Sequence, residues 1–260
     1  MYEADAPSFG WQAQLRYCLM FLTRLPVKLE QVPPPDALAL ASWCFPLAGI
    51  VVGLAGAIGG GIALALGLPP LAVALVAVGA SVLATGGLHE DGLADSADGF
   101  SAGVDRERKL AVMRDSRIGA HGAVALILVL GLRVALISVA AAHGGEALTA
   151  TLIVIHAASR AGLPMLMRCL APARADGLGR DAGRPKSGAA GVGILLAAII
   201  AISALGLGHG IDVVAAVGIA TALIGCLARR QIAGYTGDVL GAAQQAAEVA
   251  ALVAINLAIG

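Results

Sequence analysis

Charge is what this sequence has least of. Charged residues make up 13 % of its 260 residues and apolar residues 58 %, where an average soluble domain carries about 25 % charged and roughly 45–50 % apolar. So few charges cannot cover a water-facing surface, and so much apolar side chain excludes disorder. No sign of charge is in surplus: 17 basic residues balance 17 acidic ones, so the basic footprint of a nucleic-acid binder is missing. Cysteine is scarce too. Cys18, Cys44, Cys169 and Cys226 lie far apart, with no CxxC pair and no zinc spacing, which excludes a disulfide-stapled secreted domain and leaves them as small packing residues. Met1–Gly10 carries Glu3 and Asp5 and lacks the basic-then-apolar pattern of a secretory signal. Aromatics are 3 % of the chain. What these absences leave is an all-α, polytopic integral membrane protein, a reading that fits a mean hydropathy of +0.87.

A bilayer core takes about 20 mostly apolar residues per helix. Seven runs qualify: Ala39–Leu66, Pro70–Leu88, Gly119–Ala142, Ala147–Leu170, Gly188–Leu207, Ile211–Ala228 and Leu240–Ile259. Trp11–Leu25 mixes Gln12, Gln14, Arg16 and Arg24 with Leu15, Leu19, Met20, Phe21 and Leu22, the pattern of an amphipathic helix lying in the interface. The whole of 1–260 reads as one integral membrane domain. Basic residues precede the first run (Arg16, Arg24, Lys28), separate the second from the third (Arg106, Arg108, Lys109, Arg114, Arg117), surround the loop between the fourth and fifth (Arg168, Arg174, Arg180, Arg184, Lys186) and follow the sixth (Arg229, Arg230). The alternate connections, 67–69, 143–146 and 208–210, have neither Lys nor Arg. Basic loops stay cytoplasmic, so seven spans with the N-terminus inside satisfy every loop. The two basic residues left over, Arg133 and Arg160, fall within spans. The 35 glycines find a use as well, since Gly49, Gly53, Gly56 and Gly60 repeat at the spacing that lets helices approach closely in lipid. All nine aromatics fall at or near the basic side, and none occurs between Phe100 and Tyr235.

The acidic residues follow the basic loops. In Gly86-Gly87-Leu88-His89-Glu90-Asp91-Gly92-Leu93-Ala94-Asp95-Ser96-Ala97-Asp98-Gly99, a helix would place Asp91, Asp95 and Asp98 on one face, within about 60° of each other at about 3.6 residues per turn. Like charges so placed repel, and a divalent cation turns that repulsion into binding. Carboxylates that leave coordination positions open to water and phosphate are the usual setting of Mg²⁺. Charges at the bilayer centre cost about 2.5–3.5 kcal/mol each on insertion scales, so these three belong at the membrane surface or in a wet cavity. A solvated acidic loop is the plain alternative, and the helical spacing beside a span weighs against it. The second polar block is Arg106-Glu107-Arg108-Lys109, continuing through Arg114-Asp115-Ser116-Arg117. Arg forks match phosphate oxygens, whereas Arg106, Arg108 and Lys109 read more simply as facing anionic headgroups. The acidic and basic blocks together make 86–118 the active-site segment. Asp238 opens the last span, where a carboxylate also complements the helix dipole. Glu248 lies roughly 15 Å into that span and calls for a polar partner or a cavity. His143 and His209 fall in outer connections, His156 reads as packing, and Gly177-Leu178-Gly179 follows no strand and is no dinucleotide fingerprint. The inventory fits metal-assisted phosphoryl transfer, in which a carboxylate takes the proton of an attacking hydroxyl.

At these same residues the chain resembles the cobalamin synthase (adenosylcobinamide-GDP ribazoletransferase) family. The resemblance runs over nearly the whole chain. It rests on Phe21-Leu22-Thr23-Arg24-Leu25-Pro26-Val27, Phe45-Pro46-Leu47-Ala48-Gly49, Thr85 through Gly99, Met113-Arg114-Asp115-Ser116-Arg117-Ile118-Gly119, Ser159-Arg160, Ala173-Arg174 and Thr236-Gly237-Asp238-Val239-Leu240-Gly241-Ala242. The most specific piece is the His-x-Asp-Gly-Leu-Ala-Asp-x-x-Asp-Gly pattern, with Glu90 in its variable position. Gln245 stands where some members have Glu. The resemblance implies a bacterial inner-membrane enzyme with its site facing the cytoplasm. That enzyme joins adenosylcobinamide-GDP to α-ribazole or its 5′-phosphate, releases GMP and needs Mg²⁺. It places Asp91, Asp95 and Asp98 at the metal and diphosphate, one of them as base, with His89 and Asp115 as further catalytic candidates. Arg114, Arg117, Arg160, Arg174, Asp238 and Glu248 become substrate-binding candidates. Phe100 and Tyr235, beside the acidic motifs, become candidates for stacking on a guanine or benzimidazole ring. Expected partners are these small molecules and the lipid bilayer, with no nucleic acid; self-association is compatible with the sequence and not required by it. Two other readings compete. A CDP-alcohol phosphotransferase also spaces Asp residues around a metal, but its pattern has Ala-Arg after Asp-Gly-x-x, whereas Asp91-Gly92-Leu93-Ala94 is followed here by Asp95. A carboxylate-lined cation or proton transporter would be expected to show repeat symmetry, which the chain lacks. Asp91→Asn and Asp95→Asn proteins, correctly inserted, should each lose GMP release; normal release from both would remove the carboxylate–metal assignment.

Overall fold

In the computed structural model, residues 9–259 are described, so the reading of Glu3, Asp5 and Tyr2 lies outside the described residues. In chain order the helices are α1 (Trp11–Leu22), α2 (Ala37–Leu40) with a 3₁₀ turn (Ala41–Cys44), α3 (Phe45–Ala65), α4 (Pro70–Thr85), α5 (Leu88–Ser101), α6 (Arg106–Val112), α7 (Ala120–Ala142), α8 (Gly145–Ala161), α9 (Leu163–Cys169), α10 (Leu178–Asp181), α11 (Ser187–Leu205), α12 (Leu207–Ile232) and α13 (Gly237–Ile259). No strand occurs among the described residues, where Pro172 and Tyr235 form an isolated backbone bridge. The all-α polytopic fold is as expected.

Six stretches are long and apolar enough to cross a bilayer: Ala37–Ala65, Ala120–Ala142, Gly145–Cys169, Ser187–Leu205, Leu207–Ile232 and Gly237–Leu257. A seventh is reached only if α4 and α5 count as one bent span, which differs from the expected straight span Pro70–Leu88. Helix α4 stops at Thr85, and α5 leaves it at 89°, so Leu88 opens a helix that has turned out of the span. The fourth span is likewise α8 and α9 joined at Gly162. At 12 residues, α1 is about 18 Å long, too short to cross. It buries Cys18 and Leu22, and its Gln14 accepts a hydrogen bond from the Trp43 indole at 2.7 Å.

The bundle is dressed for lipid. Ile58, Ile62, Leu71, Leu83, Ile127 and Leu223 point outward, while small residues face inward. A Cβ on Gly49 would stand 2.2 Å from the His156 carbonyl oxygen, and one on Gly53 would stand 2.7 Å from that of Leu152. Helix α3 therefore lies against α8 backbone to backbone, as the glycine spacing indicates. Helix α13 is the central strut, touching α5, α7, α8, α9 and α12.

The basic segments gather at one end. The Arg24 amide donates to the Ala84 carbonyl at 2.7 Å, Arg174 reaches the Leu110 carbonyl at 2.9 Å, and Arg114 pairs with Asp176. Two headgroup-facing expectations are corrected here. Arg106 donates to the Ile232 carbonyl at 2.9 Å, and Lys109 is buried against Gln231. Both tie α6 to the end of α12 instead of reaching for lipid. Arg108 is exposed, as expected.

Gly49→Leu should destabilise the bundle by more than the about 1–3 kcal/mol typical of overpacking, because backbone cannot yield as a side chain can. Gly61→Leu, where a Cβ meets nothing within 4 Å, should unfold at the wild-type temperature in the same detergent. Equal melting temperatures for the two variants would contradict the packing.

Candidate active site

The site begins at a backbone kink. Gly86 and Gly87 both take left-handed conformations, φ +67° and +72°, which other residues adopt at a cost. Their amides return to the Leu83 and Val82 carbonyls at 3.2 and 3.0 Å, closing α4 and releasing α5 sideways. Gly86 must be glycine for a second reason: a Cβ there would lie 2.1 Å from Nε of Arg24. Glu90 and Asp91 occupy the first turn of α5, where carboxylates complement the helix dipole. One turn on, a Cβ at Gly92 would meet the Asp238 carbonyl at 2.8 Å and the Gly241 Cα at 3.1 Å. So α5 and α13 touch through bare backbone, which brings Asp238 beside Asp91 and Asp95.

Beneath α5 lies a buried ionic network. Arg133 of α7, 1 % exposed, donates to Glu90 Oε1 at 2.8 Å and to Gln245 Oε1 at 3.2 Å, and its Nη2 is 2.7 Å from Glu248 Oε1. Gln245 also donates to Glu90 at 3.0 Å, and Gln244 donates to Glu248 at 2.6 Å and to Ser159 at 2.9 Å. His156 stands 3.3 Å from Glu248 Oε2 and 3.0 Å from Ser81 Oγ, and Arg160 donates to the His156 carbonyl at 2.9 Å. Two carboxylates and two guanidiniums thus balance in the apolar layer. The polar partner that Glu248 called for is Arg133. Glu248 and Arg160, expected at substrate, are instead 0 % and 1 % exposed and line neither cavity described below. Glu248 ties α13 to α7 through Arg133, because desolvated charges of opposite sign this close are costly to separate, while the hydrogen bonds of Arg160 go to His156 on its own helix.

The three aspartates on the face of α5 do different things. Asp91 is exposed and Asp95 half-buried. Burial, then the neighbouring charges of Asp91, Asp238 and Asp98, push the Asp95 carboxyl up from 3.8 to about 7. Asp98 departs from the expected metal set: its oxygens accept the Gly119 and Gly122 amides at 2.7 and 2.9 Å, which caps α7, a helix with no capping side chain of its own. A Cβ on either glycine would come within 2.4 Å of that carboxylate. Asp115 pairs with Arg117 at 2.6 Å on the surface, and the guanidinium holds the Asp115 carboxyl down at about 2. Arg174 stands 3.6 Å from Asp238, and its burial lowers its affinity for a proton against the pull of that carboxylate. Tyr235, 1 % exposed, sits in the core at the basic end, so it is not a stacking surface; Phe100 packs against the same core.

Two cavities flank α5. The polar one, about 510 Å³, is lined by Arg24, Gly86, Gly87, Leu88, Glu90, Asp91, Ala94, Asp95, Ser116, Ile118 and Leu126. The other, about 150 Å³, is walled mainly by apolar side chains, and Asp91 belongs to both. A separate lipid-side groove between α8, α9, α11 and α12, about 390 Å³, has Arg229 as its one ionisable group besides cysteine. Arg24 is a site residue not singled out from the sequence, although the Thr-Arg-Leu-Pro motif contained it. No group of three or more His, Cys, Asp or Glu among the described residues is placed to hold a metal ion. Asp91 and Asp95 on one wall, with the unpartnered Glu90 Oε2 behind them, fit a cation that takes one or two carboxylates and completes its shell with water and phosphate, which is the habit of Mg²⁺. They do not fit a closed all-protein cage.

Residues 14–256 match the family model described as cobalamin-5-phosphate synthase. The chain is 43 % identical over 241 residues to the adenosylcobinamide-GDP ribazoletransferase of Bradyrhizobium diazoefficiens, covering 93 % of this chain and 92 % of that protein. It is 45 % identical over 246 residues to the protein of the same name from Mesorhizobium japonicum, covering 93 % and 92 %. No solved structure matches.

Removing Arg133 takes away the guanidinium paired directly with Glu90 and Glu248 and leaves two buried carboxylates against Arg160 alone. Arg133→Met should cost about 3–5 kcal/mol, and adding Glu248→Gln should recover part of it. Thermal unfolding in detergent measures both, and an undiminished melting temperature for Arg133→Met would refute the network.

Proposed function

This chain belongs to the cobalamin-5-phosphate synthase family, and on that premise we propose that it joins adenosylcobinamide-GDP to α-ribazole, or to α-ribazole 5′-phosphate, and releases GMP. The observation that carries the reading is the polar cavity, where Asp91 and Asp95 share a wall with Arg24 inside the span of the family match. A ribose hydroxyl oxygen bonds to the cobinamide-side phosphorus. The bond from that phosphorus to the bridging oxygen breaks, its electron pair leaves with GMP, and the hydroxyl proton passes to a carboxylate of the Asp91–Asp95 pair. Arg24 reaches diphosphate oxygens across the cavity, and Arg174 holds Asp238 in place at its edge. Mg²⁺ held by Asp91 and Asp95 would neutralise charge on the diphosphate. Asp98 orients the face by fixing α5 to α7. The basic end, where all these groups lie, faces the cytoplasm of a bacterial inner membrane by the distribution of Lys and Arg.

Purified protein incubated with adenosylcobinamide-GDP, α-ribazole and Mg²⁺ should release GMP and the joined product in equal amounts, and chelation of the cation should stop both. GMP without joined product, or no GMP at all, would overturn the reading.

A further inference from the structure

The smaller cavity is a gap where a gap is unusual. Its walls are Phe21 and Leu22 of α1, Leu38 of α2, Phe45 of α3, Leu163 and Met167 of α9 and Leu240 of α13, several of them core residues at 5 % exposure or less. Protein interiors have few voids larger than a water molecule, yet about 150 Å³ stands open here. An apolar cavity of about that size stays dry and takes an aromatic ring. The polar groups on this one are His89, Asp91 and Asp238. His89 is 3 % exposed and lines the cavity, where an imidazole nitrogen can donate or accept a hydrogen bond.

Two aromatic groups belong to the proposed reaction, and the walls distinguish them. Guanine carries several N–H donors and a carbonyl, and burying these against Phe, Leu and Met leaves them unpaired at about 1–3 kcal/mol each. The benzimidazole of a ribazole has no N–H once it is glycosylated and a single ring nitrogen to satisfy, which one histidine can do. Resting on the transferase reading above, we propose that this slot binds the benzimidazole of α-ribazole, with His89 bonded to its free ring nitrogen. Asp91 and Leu88 line both the slot and the polar cavity. A nucleoside seated base-inward therefore presents its ribose at Asp91, facing the diphosphate across the shared wall. Guanosine stays in the wet cavity, where its polar edge meets water.

With adenosylcobinamide-GDP saturating, Leu163→Phe, which fills the slot, should raise KM for α-ribazole by about 10- to 200-fold, the range for small volume changes in apolar pockets. KM for adenosylcobinamide-GDP should not move. His89→Leu should raise KM for α-ribazole, and His89→Gln should restore part of the loss. If Leu163→Phe does not fold, wild-type protein decides: free benzimidazole should inhibit competitively with α-ribazole and not with adenosylcobinamide-GDP. Competition with adenosylcobinamide-GDP, or a rise in its KM alone, would put guanine in the slot and overturn the inference. A wild-type protein that turns over no α-ribazole would instead sink the transferase reading.

Discussion

The contact between Arg133 and its two carboxylates sets the geometry of everything above it. Glu90 belongs to α5 and Glu248 to α13, and Arg133 joins both from α7. In lipid no hydrophobic force pulls helices together, so a desolvated ionic cluster and close backbone contact must do that work. The cluster fixes the first turn of α5, Gly92 against Gly241 fixes the second, and Asp98 on the α7 amides fixes its end. A helix with four carboxylates is thereby held as a wall of the bundle, with Asp91 and Asp95 opening onto the polar cavity.

That arrangement reconciles two demands that conflict in a membrane. Phosphate chemistry needs charge and water, whereas a span needs neither. The kink at Gly86 and Gly87 separates them: α4 supplies the apolar stretch, and α5 carries the charge across the bundle at its basic end. The elevated proton affinity of Asp95 follows from its burial there and then from the neighbouring carboxylates.

Much of this was legible in the sequence because hydropathy and basic-loop spacing report directly on where chain meets lipid. The spans, the clustering of basic loops and the shared face of Asp91 and Asp95 follow from spacing alone. Three things were hidden. Hydropathy falls from α4 to α5 and so marks where the apolar run ends, but not that the chain turns by 89° there; the Gly-Gly pair was the sign of the turn. Asp98 looks like its neighbours until tertiary contact shows its oxygens on backbone amides. Glu248 and Arg160 carry the residue types of a binding site, and only burial separates a structural ion pair from one that meets substrate. Arg133, left unassigned as a charge inside a span, was the strongest available hint that a buried partner existed.

The central claim is that the acidic segment is a fixed wall of the bundle and not a surface loop. Hydrogen–deuterium exchange of the protein in lipid nanodiscs tests it directly. The amides of Gly92–Asp98 should exchange as slowly as those of α13 facing them. Exchange as fast as that of the open chain at Lys28–Val32 would contradict the account.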